Sequence, residues 1–101
     1  MKIADLKAAL AAILAEEERA DGDWNRVRLL SEWAYVRLTT SAEKIQDYPH
    51  EDVVDYLVGY RRRQLEPEFG DARRAWLRYY LGSGDWRTSP DGALNGEQSP
   101  D

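Results

Sequence analysis

Residues Tyr48–Leu81 have the sequence YPHEDVVDYLVGYRRRQLEPEFGDARRAWLRYYL. They include five of the six tyrosines of the chain, its only phenylalanine, and six of its fourteen lysine and arginine residues. Apolar residues recur in this stretch at spacings of three and four, which is typical of amphipathic helices. Pro67 cannot continue a preceding helix but suits the start of a new one. The stretch therefore predicts one helix over residues 49–65 and another from Pro67 or Asp71 to Leu81. Gly59 falls inside the first, where it permits a bend or a close helix contact.

Two more helices are predicted on the N-terminal side. Over residues 3–20, one face is apolar and consists of Ile3, Leu6, Leu10, Ile13 and Leu14. Over residues 24–39 there are two adjacent apolar stripes, one of Trp24, Val27, Leu30, Ala34 and Leu38 and one of Leu29, Trp33 and Val36. Two stripes indicate a central helix packed on more than one side, and Trp33 is expected in the core. Gly22 is expected to end the first helix in the left-handed conformation, and Asp23 to cap the second.

The remaining segments are short or poor in apolar residues. Thr40 and Glu43 have the spacing of a capping box, which predicts an additional short helical turn over residues 41–46. Residues 83–101 are rich in glycine, proline and polar residues, and they are predicted to form a flexible acidic and polar tail. Trp86 is the one large aromatic residue of this tail and a candidate for packing back on the helices.

These patterns predict the fold class and domain organisation. There is no internal repeat and no alternating pattern of apolar and polar residues that would indicate strands. We therefore predict an all-α fold, a small four-helix bundle-like domain over residues 1–82 followed by the tail.

Composition restricts the function classes. The chain has 101 residues, of which 33% are charged and 43% hydrophobic, as expected for one small soluble domain. The absence of cysteine excludes disulfides, thiolate metal sites and cysteine nucleophiles. No apolar run approaches the roughly 20 residues that span a bilayer, and Asp5 and Lys7 interrupt the apolar residues at the N-terminus. We therefore expect a cytoplasmic protein with neither a membrane span nor a signal peptide.

The net charge of −5 is unevenly distributed. Residues 1–60 carry seven basic and twelve acidic side chains, and residues 88–101 carry three acidic ones. Residues 61–87 carry seven basic and four acidic side chains, a local charge of +3. A basic region on an acidic body can attract an acidic partner, whereas the overall charge opposes non-specific binding to nucleic acid.

No pattern indicates catalysis or a bound cofactor. His50 is the only histidine, and it forms no recognised metal-ligand pattern with its neighbours. Carboxylate pairs occur at Asp52 with Asp55 and at Glu66 with Glu68, but these positions are expected to be solvated. A glycine-rich phosphate loop is absent from the sequence. We therefore predict a non-enzymatic protein without catalytic, metal or cofactor sites.

Arginine and tyrosine form the candidate binding surface. If the last two helices pack antiparallel, the Arg61–Arg63 run lies near the start of the last helix and its arginines. Arginine makes bidentate contacts to acidic groups, and aromatic side chains supply buried area at protein interfaces. We therefore predict a protein-interaction or regulatory module that binds an acidic surface of a protein partner. Its contact residues are predicted to be Arg61, Arg62, Arg63, Arg73, Arg74, Arg78, Tyr60, Tyr79 and Tyr80.

Three alternatives remain open. The same arginines and tyrosines suit nucleic acid, although the acidic net charge and the apolar last helix rank this below protein binding. The alanine-rich first helix and the two-faced second helix suit a self-associating structural protein, a homodimer. Finally, the arginines are as well explained by internal ion pairs with Glu66, Glu68, Asp71 and the acidic first helix.

Overall fold

The structure is a computed structural model and describes residues 1–41 and 44–83. These form five helices, α1 (Ile3–Glu18), α2 (Trp24–Thr40), α3 (His50–Val58), α4 (Tyr60–Leu65) and α5 (Pro67–Ser83). The described residues contain no strand. The prediction of a small all-α, bundle-like fold is therefore confirmed. From position 84 onward the predicted tail, including Trp86, lies outside the described residues.

One hydrophobic core joins the helices. The helix α2 contacts α1, α3 and α4, so it has the central position predicted for it, while α5 packs against α1 and α4. The buried apolar side chains are Leu6, Leu10, Ile13, Leu14, Val27, Ala34, Leu38, Val53, Tyr56, Leu57, Trp76, Leu77 and Tyr80. All five residues of the predicted α1 stripe except Ile3 belong to this set, because Ile3 lies at the exposed first turn.

The turn between α1 and α2 is set by Gly22 and Asp23. The Asp23 carboxylate accepts a hydrogen bond from the Asn25 amide at 2.9 Å, which confirms the predicted cap. The prediction of a left-handed Gly22 is wrong. A side chain does not fit at Gly22, because a Cβ atom there would lie 2.1 Å from the Glu16 carbonyl oxygen. The turn thus depends on a close backbone approach.

Only one of the two apolar stripes of α2 is buried. The neighbouring helices pack against the side of α2 that carries Val27 and Ala34, so the second stripe points to solvent. That stripe, which we call the outer α2 face, consists of Leu29, Trp33 and Val36, whose exposed fractions are 52%, 52% and 55%. The placement of Trp33 in the core was therefore wrong. Apolar spacing shows that residues share a face, but it does not show whether another helix covers that face.

Gly59 divides the predicted helix over residues 49–65 into α3 and α4. A Cβ atom at this position would lie 2.8 Å from the Asp55 carbonyl oxygen. In a continuous helix the Tyr56 carbonyl would accept the Tyr60 amide, whereas here the Arg63 guanidinium donates to it. At the break, the Arg63 side chain therefore supplies a donor in place of a backbone amide.

The segments before α3 and in α5 differ from the prediction in detail. Residues 41 and 44–46 are not helical, and residues 42 and 43 lie outside the described part, so the predicted turn is not observed. In α5, Trp76, Leu77 and Tyr80 are buried, while Ala72 is exposed. The face of α5 that carries Trp76, Leu77 and Tyr80 therefore meets the core, although Tyr80 was predicted to be a contact residue.

Candidate interaction surface

The structure separates the nine predicted contact residues into interior and surface groups. Arg63 and Tyr80 are only 1% and 2% exposed, so they offer almost no area to a partner. The Arg74 side chain is 11% exposed and is held in ion pairs. These three positions correct the prediction. They are buried because α1 packs against α5 and brings its acidic C-terminal end to the arginines.

The buried arginines converge on one carboxylate. Glu17, whose side chain is fully buried, accepts hydrogen bonds from Arg63 Nε at 3.0 and 3.2 Å and from Arg63 Nη2 at 2.7 Å. It also accepts from Arg74 Nη1 at 3.0 Å and from the Tyr56 hydroxyl at 3.2 Å. The Arg63 guanidinium stacks 3.7 Å from the centre of the Tyr56 ring. We call these four residues the Glu17 cluster; they tie together α1, α3, α4 and α5.

Internal pairing also engages the more exposed arginines. Arg62 Nε lies 3.2 Å from Glu66, and Arg78 Nε lies 2.6 Å from Glu18. The prediction of internal ion pairs is therefore confirmed for Arg62, Arg63, Arg74 and Arg78. Exposed pairs of this kind contribute only about 0–1 kcal/mol, so Arg62 and Arg78 can exchange their partners at low cost.

Three of the predicted arginines line one groove, and two of them, Arg62 and Arg73, are accessible there. The groove has a volume of about 350 Å³ and is lined by Asp55, Gly59, Arg62, Arg63, Phe69 and Arg73. We call it the arginine groove. The Arg62 guanidinium stacks 3.9 Å from the centre of the Phe69 ring. Arg73 lies 5.5 Å from the centre of the Trp76 ring and donates to the Asp52 carbonyl at 3.4 Å.

The remaining predicted residues are not part of this groove. Tyr60 lines a different one, where its hydroxyl donates to Glu32 at 3.2 Å. Arg61 is exposed, and Tyr79 is half-buried. The structure thus brings together Arg62 and Arg73 but directs Tyr60 toward α2. The predicted patch is split by the bend at Gly59.

The outer α2 face is a second candidate surface, and it lies on the helix for which the sequence left self-association open. Next to it, Tyr35, Val36 and Val58 line an apolar groove of about 350 Å³. Val58 is 53% exposed, so apolar surface continues from α2 onto α3. The spacing of Leu29, Trp33 and Val36 was the signal for this surface, but it was interpreted as core packing.

Three tyrosines are perturbed by their surroundings. Burial raises the pKa of Tyr56 well above its ordinary value of 10.0, the Arg63 charge opposes that shift, and Glu17 reinforces it. Burial also raises the pKa of Tyr80, with a contribution from Tyr48, and raises the pKa of Tyr48 itself. The folded protein therefore favours the neutral form of all three phenols.

We expect the free energy of unfolding to fall as the pH rises above about 10, where unfolded tyrosines ionise. The folded state keeps Tyr56 protonated to higher pH, so the unfolded state loses its proton first and is favoured. Urea unfolding between about pH 8 and pH 11 measures the effect. Tyr56→Phe should flatten the decline, and Tyr35→Phe, at an exposed position, is the matched control. A Tyr56→Phe variant with the parent's pH dependence would contradict this assignment.

Comparisons with protein families, curated proteins and solved structures found nothing that matches this chain. Within the described residues, no helix combines the length and apolar character needed to cross a membrane. The same residues contain no group of three or more histidine, aspartate or glutamate side chains placed to hold a metal ion.

Proposed function

We propose that this protein is a non-enzymatic interaction module of the cytoplasm that binds an acidic segment of a partner protein in the arginine groove. The observation that carries the proposal is the placement of Arg62 and Arg73 on aromatic rings at the border of one groove. The proposed site keeps the predicted combination of arginine and aromatic side chains. It uses fewer residues than the sequence predicted.

Stacking prepares these arginines for an acidic ligand. A ring beneath the guanidinium plane restricts its rotation and leaves its N–H groups available at the edges. A carboxylate of the partner would accept two such N–H groups in a bidentate contact, replacing Glu66 at Arg62. Phe69 is half-buried and supplies apolar area beside the charge. The groove therefore suits a segment in which an acidic residue adjoins an apolar one.

Asp55 favours a protein over nucleic acid as the ligand. Its carboxylate lines the same groove, so the local positive charge is diluted. The repeated phosphates of a nucleic acid need several unpaired cations in a row. Of the predicted cations, Arg63 and Arg74 are held by the buried Glu17 carboxylate and cannot turn to a phosphate. A single acidic residue needs only Arg62 and Arg73.

Loss of both stacked arginines should abolish partner capture. The test compares the tagged parent, Arg62→Gln/Arg73→Gln and Arg19→Gln/Arg28→Gln in affinity capture from the source lysate, each with and without nuclease. We expect a nuclease-resistant partner with the parent, and binding at least about tenfold weaker in the groove variant, because hydrogen bonds to charged groups are lost. The control variant removes the same charge from Arg19 and Arg28, whose side chains are 57% and 42% exposed and lie outside the groove, and it should capture normally.

Two outcomes would contradict the proposal. Equal capture by the groove variant and the parent would show that the arginine groove does not bind the partner. Capture that disappears with nuclease, together with binding that weakens steeply with salt, would instead support nucleic acid as the ligand.

A further inference from the structure

The outer α2 face has the spacing of a coiled-coil seam. Its residues are separated by four and then three positions, and a further step of four reaches Thr40. Assigned to a heptad, Leu29 and Val36 occupy d positions while Trp33 and Thr40 occupy a positions. The Thr40 hydroxyl donates to the Val36 carbonyl at 2.6 Å, so it needs no partner across the seam. The four side chains form one narrow stripe opposite the core of the domain.

Opposite charges flank this seam. In the same heptad Glu32 occupies a g position, and Arg37 occupies the e position of the following heptad. The Glu32 carboxylate is half-exposed and contacts Arg28 at 3.2 Å and Tyr60 at 3.2 Å. The Arg37 guanidinium stacks 5.3 Å from the centre of the Trp33 ring. Among the described residues, no ion pair involves Arg37.

We propose that the outer α2 face binds a second copy of this chain, with the two α2 helices parallel. In a parallel pair, a residue at g lies beside the residue at e of the following heptad in the other helix. Glu32 of each copy would then meet Arg37 of the other, forming two identical ion pairs related by the twofold axis. Leu29, Trp33 and Val36 would each pack against the same residue of the second copy.

The charges select the parallel orientation. In an antiparallel pair, e positions face e positions and g positions face g positions. Glu32 would then face Asn25, Thr39 or another Glu32, and Arg37 would face Asp23, Leu30 or another Arg37. The register that brings Arg37 to Asp23 also places Glu32 against Glu32, and the Asp23 carboxylate already accepts the Asn25 amide as the cap of α2. The parallel arrangement forms two unlike pairs and no like pair. The ion pair that Glu32 makes with Arg28 is exposed, so giving it up costs little.

The dimer is expected to be weak and reversible. The seam covers about three helical turns, less than the roughly 800 Å² per partner of a stable interface, so we expect a Kd on the order of 10–1,000 µM. Covering Leu29, Trp33 and Val36 removes exposed apolar surface from water, which supplies the driving force. This surface is separate from the arginine groove, so the failure of either proposal leaves the other intact.

Sedimentation of the full chain over a concentration series tests the dimer. We expect the average mass to rise from monomer toward dimer as the concentration approaches about 1 mM. Trp33→Glu should abolish the rise, because it places a charge at the centre of the seam. Leu65→Glu adds the same charge at an apolar position that is 67% exposed and off the seam, and it should dimerise normally. Leu29→Lys replaces Trp33→Glu if the latter unfolds.

A mixing experiment tests the orientation. Glu32→Arg alone and Arg37→Glu alone each place like charges at both flanking contacts, so each should self-associate roughly tenfold more weakly than the parent. Mixed in equal amounts, the two variants should form a heterodimer of near-parental affinity, because opposite charges face each other again. In addition, the parent lacks cysteine, so Leu29→Cys should yield a disulfide-linked dimer on mild oxidation.

Three results would overturn the proposal. A parent that stays monomeric at about 1 mM would exclude the dimer. A dimer that tolerates Trp33→Glu would place the interface elsewhere. A Trp33-dependent dimer in which the charge variants do not recover on mixing and Leu29→Cys does not crosslink would exclude the parallel orientation.

Discussion

Glu17→Ala is expected to lower the free energy of unfolding by about 3–5 kcal/mol, because it leaves a buried arginine without its counter-charge. The Arg63 side chain is fully buried, and three of its contacts go to the Glu17 carboxylate. The variant also removes the acceptor of the Tyr56 hydroxyl and of Arg74 Nη1. Removing one partner of a buried pair costs far more than the pair contributes relative to apolar residues.

The next residue along the chain provides the matched control. Glu18 also pairs with an arginine, but the side chains of Arg78 and Glu18 are 54% and 38% exposed. Glu18→Ala should therefore cost no more than about 1 kcal/mol. Urea unfolding of both variants at neutral pH, followed by circular dichroism, measures the difference. Equal losses for Glu17→Ala and Glu18→Ala would show that the Glu17 cluster does not hold the helices together.

The Glu17 cluster also explains why the binding surface was only partly predictable. The run Arg61–Arg63 consists of three identical side chains, and nothing local shows which of them turns inward. That choice depends on the position of α1, which brings Glu17 to Arg63. The sequence likewise does not show which of Glu16, Glu17 and Glu18 meets Arg63. Both assignments required a contact between residues 46 positions apart.

The helices themselves were predictable because their determinants are local. Apolar spacing predicted α1 and α2 to within two residues, and Asp23 was correctly assigned as a cap because capping involves only neighbouring residues. By contrast, whether a stripe is covered depends on the packing of other helices. The outer α2 face and the buried stripe of the same helix have similar composition and equivalent spacing. Only the arrangement of α1, α3 and α4 around α2 distinguishes them.

The two candidate surfaces depend to different degrees on the packing between helices. At the arginine groove, Arg62 of α4 contacts the Phe69 ring of α5, so its position relative to Arg73 depends on how α4 meets α5. The outer α2 face belongs to a single helix and needs no neighbour to create its pattern. Binding of a partner in the arginine groove therefore depends on the tertiary structure, whereas a dimer through α2 should tolerate small shifts of α4 and α5.

Leu77→Ala is expected to lower the free energy of unfolding by about 2–5 kcal/mol, whereas Leu65→Ala should change it by no more than about 0.5 kcal/mol. Both residues are leucines of the Tyr48–Leu81 stretch. In the structure Leu77 is fully buried and Leu65 is 67% exposed. Leu65 is the last residue of α4, just before Glu66 joins α4 to α5.

The reason for the difference is what each truncation leaves behind. Leu77→Ala removes apolar contacts from a filled core and leaves a cavity, while Leu65→Ala removes a side chain that already faces water. Urea unfolding of both variants measures the two losses under the same conditions. If Leu65→Ala proved the more damaging, the burial assigned to α4 and α5 would be wrong. The arginine groove depends on the packing of these two helices, because Arg62 of α4 and Phe69 and Arg73 of α5 line it. This pair of leucines therefore tests the geometry of the candidate site through stability alone, without knowledge of its partner.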